Sequence, residues 1–267
     1  MRSEYAIDVA EEQVRCHSLH EPGTETCTSR PADADTVRLI TLSQLWGPWA
    51  LEPGRSAIIG AAITSEDLRA IGRLHHALFA ERDGRNQVRT DCVDRFLIDP
   101  IDAVSLNLRA ASQQRCLAAA RLTFGADAVS DPRLAATLHH SALPQAAYPD
   151  CLILSHMAVR PEARARALVP ALARHVYRVG LETGAAMTLL ATRPAHVEWF
   201  ERFGFAPSGL SWTDPGAGEL RCLVLGMLDR ARLKAVGSPL LVELDAFEAG
   251  SPGAAAHVSI LDLTDDL

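Results

Sequence analysis

Between an apolar run that ends at Val159 and a helical pattern that begins near Leu168, the chain reads RPEARARA. Those residue types can hold an anion. Free backbone N–H groups from about Arg164 through Ala165, Arg166 and Ala167 to Leu168 would face an incoming pyrophosphate, and the helix dipole favours its charge. Arg164 and Arg166 add charge-assisted contacts. The same residues fit a solvated surface turn, because helix N-termini are common. Just upstream, the strand-like CLILSHMAV carries two polar groups suited to proton handling, Ser155 and His156. Strict alternation puts Ile153, Ser155 and Met157 on one face and Leu154, His156 and Ala158 on the other. On that pattern Ser155 is the better candidate for facing an acceptor. His156 serves as a base if the loop folds around it, and otherwise as a core or interface histidine. His75-His76 and His139-His140 are read with the same two alternatives, and none of these has a partner at metal-ligand spacing.

These groups need elements to position them. Pro161 stops ladder donation after the strand, and Pro170 is tolerated only in the first turn of a helix, which sets its start near Leu168 or Val169. Leu168, Leu172, Val176 and Val179 then recur on adjacent turns. A second apolar run, Ala186 to Thr192, leads into a short amphipathic segment that closes on Phe203-Gly204-Phe205. Earlier, Ser65 is a plausible N-cap for a helix that aligns Leu68, Ile71, Leu74, Leu78 and Phe79. AVSLNLRA (103–110) and CLAAARLTFG (116–125) read as an antiparallel hairpin about Ser112-Gln113-Gln114. A helical turn is expected around Arg133–His140, a loop over 210–219, and a strand over Leu220–Leu228. LLVEL near the C-terminus reads as an edge strand that finishes the sheet or pairs across a homodimer, or else as tail. Strands that alternate with helices after a hairpin imply an α/β fold, with a mixed sheet covered by helices on both faces.

The order of the stretch Cys151 to Gly209 resembles the acyl-thioester-binding half of the GNAT N-acyltransferase superfamily. The family's phosphate signature, V-x-P-x-x-[Q/R]-x-x-G-x-[G/A], aligns with Val159, Pro161, Arg164, Ala167 and Val169. The first three match; Ala167 replaces a glycine, and Val169 stands where a small residue is expected. WFERFGF (199–205) is similar to the family's FYExxGF element beside the thioester arm. The resemblance spans roughly residues 60–230 and implies a mixed, mostly antiparallel sheet flanked by helices on both faces. It also implies acyl-CoA or acetyl-CoA as cosubstrate, with Met157 and Val159 holding the pantetheine amides by strand-edge N–H and C=O groups. Two usual proton-handling residues of the family are absent. Phe200 stands at the place of its acidic tyrosine, and Ile153 at that of its glutamate.

The stretch VRTDCVDRFLIDPIDAVSLNLRAASQQRCLAAARLT, followed by LSHMAV, further resembles the acyl-homoserine-lactone synthases and long-chain N-acyl amino acid synthases. Those relatives share acidic residues before the hairpin and an Arg-Leu ending its second strand, here Arg121-Leu122. The resemblance implies that Asp94, Asp99 and Asp102 cluster with Arg121, either as structure or to bind an acceptor's ammonium. It also implies an acyl group longer than acetyl, delivered by acyl carrier protein as well as by coenzyme A. Where the lactone synthases carry Glu-x-Ser-Arg, this chain has Ile153-Leu154-Ser155-His156.

Composition bounds the reading. Formal net charge is −7, which disfavours nucleic acid as a partner, and 48% apolar residues are ample for a core. No apolar run reaches the ~18–20 residues that span a bilayer, and the N-terminus lacks a signal-peptide pattern. Cys16, Cys27, Cys92, Cys116, Cys151 and Cys222 show neither disulfide nor metal spacing, so a cytoplasmic, thiol-reduced, metal-free protein is expected. The expected organisation is a loosely ordered leader over 1–35, a GNAT-like acyltransferase domain over 36–232 and a C-terminal extension over 233–267. The function it implies is N-acylation of a small-molecule or peptide amine; a catalytically silent binding or scaffold protein is the alternative.

Overall fold

The computed structural model describes residues 56–82, 97, 99–112, 115–161, 168–250 and 261–262. The expected leader, Asp94 and residues 162–167 lie outside them. Strand β1 (Ser56–Ala61) precedes helix α1 (Ser65–His75), which runs on as a π-helical turn over His76–Arg82. A 3-10 turn (Pro100–Val104) leads to β2 (Leu106–Ser112) and β3 (Arg115–Phe124). Two short helices follow, α2 (Gly125–Ala128) and α3 (Pro132–His140), then β4 (Cys151–Val159) and the long helix α4 (Leu168–Thr183). Next come β5 (Met187–Thr192), α5 (Val197–Glu201), β6 (Ala206–Asp214) and β7 (Gly218–Gly226). Helices α6 (Arg230–Ala235) and α7 (Leu241–Glu248) and the two-residue β8 (Leu261–Asp262) complete the chain.

The strands form one sheet in the order β6-β7-β5-β4-β3-β2-β1-β8. Every pairing is antiparallel except β4 with β5, which the crossover helix α4 joins in parallel. This is the mixed, mostly antiparallel sheet with helices on both faces. The main core lies under α4, where Leu168, Leu172, Val176 and Tyr177 meet Leu152 and Leu154 of β4 and Leu122 of β3. On the opposite face, Leu134 and Leu138 of α3 cover Cys151, Ile153 and Leu189, while Ile71 and Leu74 of α1 cover Ala119 and Ala158. No helix among the described residues is long and apolar enough to cross a membrane.

Local chemistry explains most boundaries. The cap of α1 is Thr64 rather than Ser65: the Thr64 hydroxyl accepts from the Asp67 N–H while the Asp67 carboxylate accepts from the Thr64 N–H. Helix α4 starts at Leu168 with Pro170 in its first turn, as the sequence predicts. The loop expected over 210–219 is instead the second half of β6, a tight turn and the start of β7. There Asp214 Oδ1 accepts from the Gly216 and Ala217 N–H groups and closes the turn. Pro207 and Gly209 sit at a register shift on an edge strand, where such residues are tolerated. LLVEL is helical, so its expected role as an edge strand is overturned. Leu240 and Leu244 recur at helical spacing and are buried, and between them Glu243 binds Arg174 and Arg178 of α4.

Candidate active site

The site is organised by one irregularity in β4. Ala119 pairs with Ala158 and Arg121 with Ser155, so His156 and Met157 stand opposite the single residue Ala120. His156 takes φ of 50°, in the left-handed region that a branched or bulky residue rarely adopts. The bulge resets the alternation and corrects the faces expected from sequence. Ser155 and His156 share the face of Ile153, toward α1 and α3. Met157 turns to the opposite face with Leu154 and Val159, toward α4. The two candidate catalytic side chains are thereby brought together, and Met157 is separated from them.

On the α1 side the strand meets a charged network. Arg121 is 3% exposed and donates from Nη1 to Asp99 Oδ2 and to Asp102 Oδ1, both at 3.0 Å. Its Nε donates to Ser155 Oγ, also at 3.0 Å. The cluster implied by resemblance therefore exists for Arg121, Asp99 and Asp102. His156 Nε2 lies 3.3 Å from Asp99 Oδ2. His75 of α1, which the sequence offered as a core histidine, is buried and bonds through Nε2 to the His156 carbonyl oxygen at 3.1 Å. The His156 ring sits 5.2 Å from that of His75 and 5.9 Å from that of Phe79.

Electrostatics follow from this burial. Desolvation and then Arg121 push His75 down to about 4. The same two causes, with His75 itself, hold His156 well below the ordinary histidine range. Burial alone would raise Asp99, but His156 and then Arg121 keep its carboxyl below the ordinary value. Asp102 is pushed up, because burial outweighs Arg121 there. At neutral pH the ring of His156 is neutral and faces an ionised Asp99.

On the α4 side the sheet opens. β4 and β5 pair only from Cys151 with Met187 to Leu154 with Leu190, although β4 runs on to Val159. The Arg160 N–H donates to the Leu117 carbonyl of β3 at 2.9 Å. Successive strand N–H groups point to opposite edges, so beyond the bulge Val159 directs its own toward the edge that β5 has left. An apolar pocket of about 20 Å³ lies beside this split, lined by Leu154, Met157, Val176, Tyr177, Trp199 and Phe200 among others. Trp199 and Phe200 come from α5, held by the FGF turn. Gly204 there has φ of 105°, and a Cβ on it would stand 2.6 Å from Leu233 Cδ2. Leu168 is buried at the start of α4; Arg164, Ala165, Arg166 and Ala167, like Asp94, fall outside the described residues. No group of three His, Cys, Asp or Glu side chains among the described residues could hold a metal.

Sequence reasoning missed the contact of Asp99 with His156 and the approach of His75. Both depend on the bulge, for which the strand carries no glycine or other local signal. His139 and His140 take no part in this site; His140 stacks on Trp212 at 4.6 Å.

Comparison with known proteins supports the fold. Neither the protein-family models nor the curated proteins yield a match to the sequence. Among solved structures, a CoA-dependent acyl-homoserine lactone synthase, BjaI, with SAM and isopentyl-CoA, superposes with a TM-score of 0.55 at 19% identity. That match covers 69% of this chain and 90% of BjaI. The AHL synthase LasI superposes with a TM-score of 0.55 at 16% identity, covering 69% of this chain and 97% of LasI. TofI, solved with an inhibitor and MTA, gives 0.52 at 16% identity, covering 69% and 98%. The chain shares the fold of these synthases, which is the GNAT-like arrangement of sheet and helices that its sequence predicts.

Proposed function

We propose that the protein is an N-acyltransferase that moves an acyl group from acyl-CoA or acetyl-CoA directly onto a primary amine. The observation that carries this reading is the opening between β4 and β5. It presents the N–H group of Val159, and with it Met157, to a pantetheine arm, which adds along the strand edge as a further strand would. Beside the same opening, the apolar pocket takes the acyl end. The bulge at His156 leaves backbone N–H groups out of the β3 ladder, where they polarise the thioester carbonyl and stabilise the tetrahedral intermediate. The segment from Arg164 through Ala165, Arg166 and Ala167 to Leu168 anchors the donor's phosphates.

The acceptor approaches from the α1 side, where Ser155, His156 and Asp99 stand. A carboxylate there suits a small-molecule or peptide amine, with Arg121 as the structural hub of the cluster and Asp94 a further candidate contact. Acyl carrier protein is the second donor class, since both offer the same pantetheine thioester. The pocket holds about one water-sized body. Acyl groups much larger than acetyl therefore require Trp199 or Phe200 to move.

The competing reading is a thioester-binding protein without turnover, and Ile153 and Phe200 favour it by replacing two usual proton-handling groups. One experiment separates the two. The protein is incubated with acetyl- to palmitoyl-CoA and a panel of primary amines, while thiol release and thermal unfolding are followed together. Amine-dependent thiol release is the expected result. Stabilisation by a thioester with no thiol release would establish the binding protein. Neither response would overturn CoA thioesters as donors.

A further inference from the structure

His156 has one nitrogen against a carboxylate and the other against nothing. Nε2 faces Asp99 Oδ2 at 3.3 Å, and Nδ1 is buried with no hydrogen-bond partner among the described residues. An ionised carboxylate only accepts, so the nitrogen facing it carries the proton. In a neutral ring that leaves the lone pair on Nδ1. A buried acceptor without a donor is costly to stability, so native proteins rarely keep one without a use. Strained backbone at the same residue points the same way: φ of 50° at His156 is maintained by the packing of α1 and the ladder to β3, and it aims the ring at Asp99.

We infer that Asp99 is a positioning residue, which holds His156 with Nε2–H toward itself and leaves Nδ1 as the base that deprotonates the acceptor amine. This rests on the acyltransferase reading. In the step, the amine nitrogen forms its bond to the thioester carbonyl carbon and gives its proton to Nδ1. The C–S bond then breaks with its electron pair on sulfur, and the imidazolium returns the proton to that thiolate or to water.

The groups that face the ring set its charge. They are Arg121 of β3, His75 of α1, Asp99 before the 3-10 turn and, further off, Arg133 of α3. Burial and then Arg121 oppose protonation and only Asp99 favours it, so the ring is in its working neutral form at pH 7. Asp102 binds Arg121 but not His156, which makes it the control for the cluster's structural role.

The test is ¹⁵N NMR of the full chain labelled at histidine, with the His156 signals assigned by their loss in His156→Gln. At pH 7 the wild type is expected to show a neutral ring protonated at Nε2. Asp99→Ala should give mixed tautomers and a kcat about 100-fold lower, with the donor KM unchanged. Asp102→Asn should lower stability yet keep the tautomer. In Asp99→Asn the loss of charge should move the acid limb of the pH–rate profile to lower pH, because Asp99 is what favours the charged ring. A wild-type ring protonated at Nδ1, or doubly protonated at pH 7, would overturn the assignment even if thioesters are turned over. Absence of turnover with any thioester, the ring being as expected, would instead sink the acyltransferase reading and the base role with it.

Discussion

The two faces of β4 carry different physics within a few residues. Toward α4, Leu152, Leu154, Met157 and Val159 join an apolar core against Leu172, Val176 and Tyr177. The few polar groups there are satisfied close by: the Tyr177 hydroxyl donates to the Met227 carbonyl at 2.5 Å. Toward α1 and α3, the same strand presents Ser155 and His156 to a buried arginine and two carboxylates. One face stabilises by area removed from water. The other holds charge where water is scarce, and each partner there is stable only because the others are present. On the function proposed above, the thioester donor uses the first environment and proton transfer the second. A single bulge sets the boundary between them by changing which way one residue points.

Removing one partner from the polar face should cost most. Arg121→Met leaves Asp99 and Asp102 facing each other, and urea unfolding should register a loss of about 3–5 kcal/mol. A loss below about 1 kcal/mol would mean that water already solvates the carboxylates, and the contrast between the faces would fail. Leu172→Ala, fully buried on the apolar face, should cost about 2–4 kcal/mol. Unlike Arg121→Met, its effect should not vary between pH 7 and pH 5.

Acid should weaken both faces alike. Burial, with a nearby arginine, lowers His75 on α1 and His175 on α4 to about 4. An unfolded histidine takes up its proton near 6.5, while these two stay neutral in the fold, so the unfolded state binds more protons and stability falls with pH between about 6.5 and 4. From pH 7 to pH 5 each should contribute a loss of about 2 kcal/mol. The urea midpoint at the two pH values, compared with His75→Gln and His175→Gln, checks this. His156 leaves a remainder of the same sign, so a pH dependence undiminished by both substitutions would place the acid sensitivity elsewhere. Smaller still, Thr64→Ala should cost about 1 kcal/mol through the α1 cap. Because α1 carries His75 and Phe79, thermal unfolding of that variant also reports how firmly the polar face is braced. At the bottom of the scale, Glu198→Gln breaks a solvent-exposed pair with Arg202 and should change stability by less than about 0.5 kcal/mol.

Much of the scaffold was legible in the sequence. The hairpin of β2 and β3, the start of α4 at Leu168 and the turn of α3 all follow from proline placement, apolar period and strand-like runs. β6 was not, because LSWTDPGAGE (210–219) reads as loop through its central turn residues, and the pairing on either side of that turn is not visible locally. LLVEL misled for a related reason: a short apolar run fits a strand as well as a helix, and the burial of Leu240, Leu244 and Glu243, the last against Arg174 and Arg178, is a tertiary outcome. Within the site, resemblance brought Arg121, Asp99 and Asp102 together correctly, and Ser155 and His156 were named from residue type. Their arrangement was not legible. Period-two reasoning put them on opposite faces, and the bulge that unites them has no glycine to announce it.

The sequence by itself determined the order of elements in the central unit, the apolar supply for the core and the residue types available for chemistry. These depend on short-range periodicity and on backbone restrictions that proline imposes locally. Tertiary structure decided where β4 parts from β5, which way His156 points and which carboxylate meets it. Each of those is a competition between distant segments for one strand, settled by ladder register across β3 and packing from α1. No local pattern of residues encodes the outcome of such a competition.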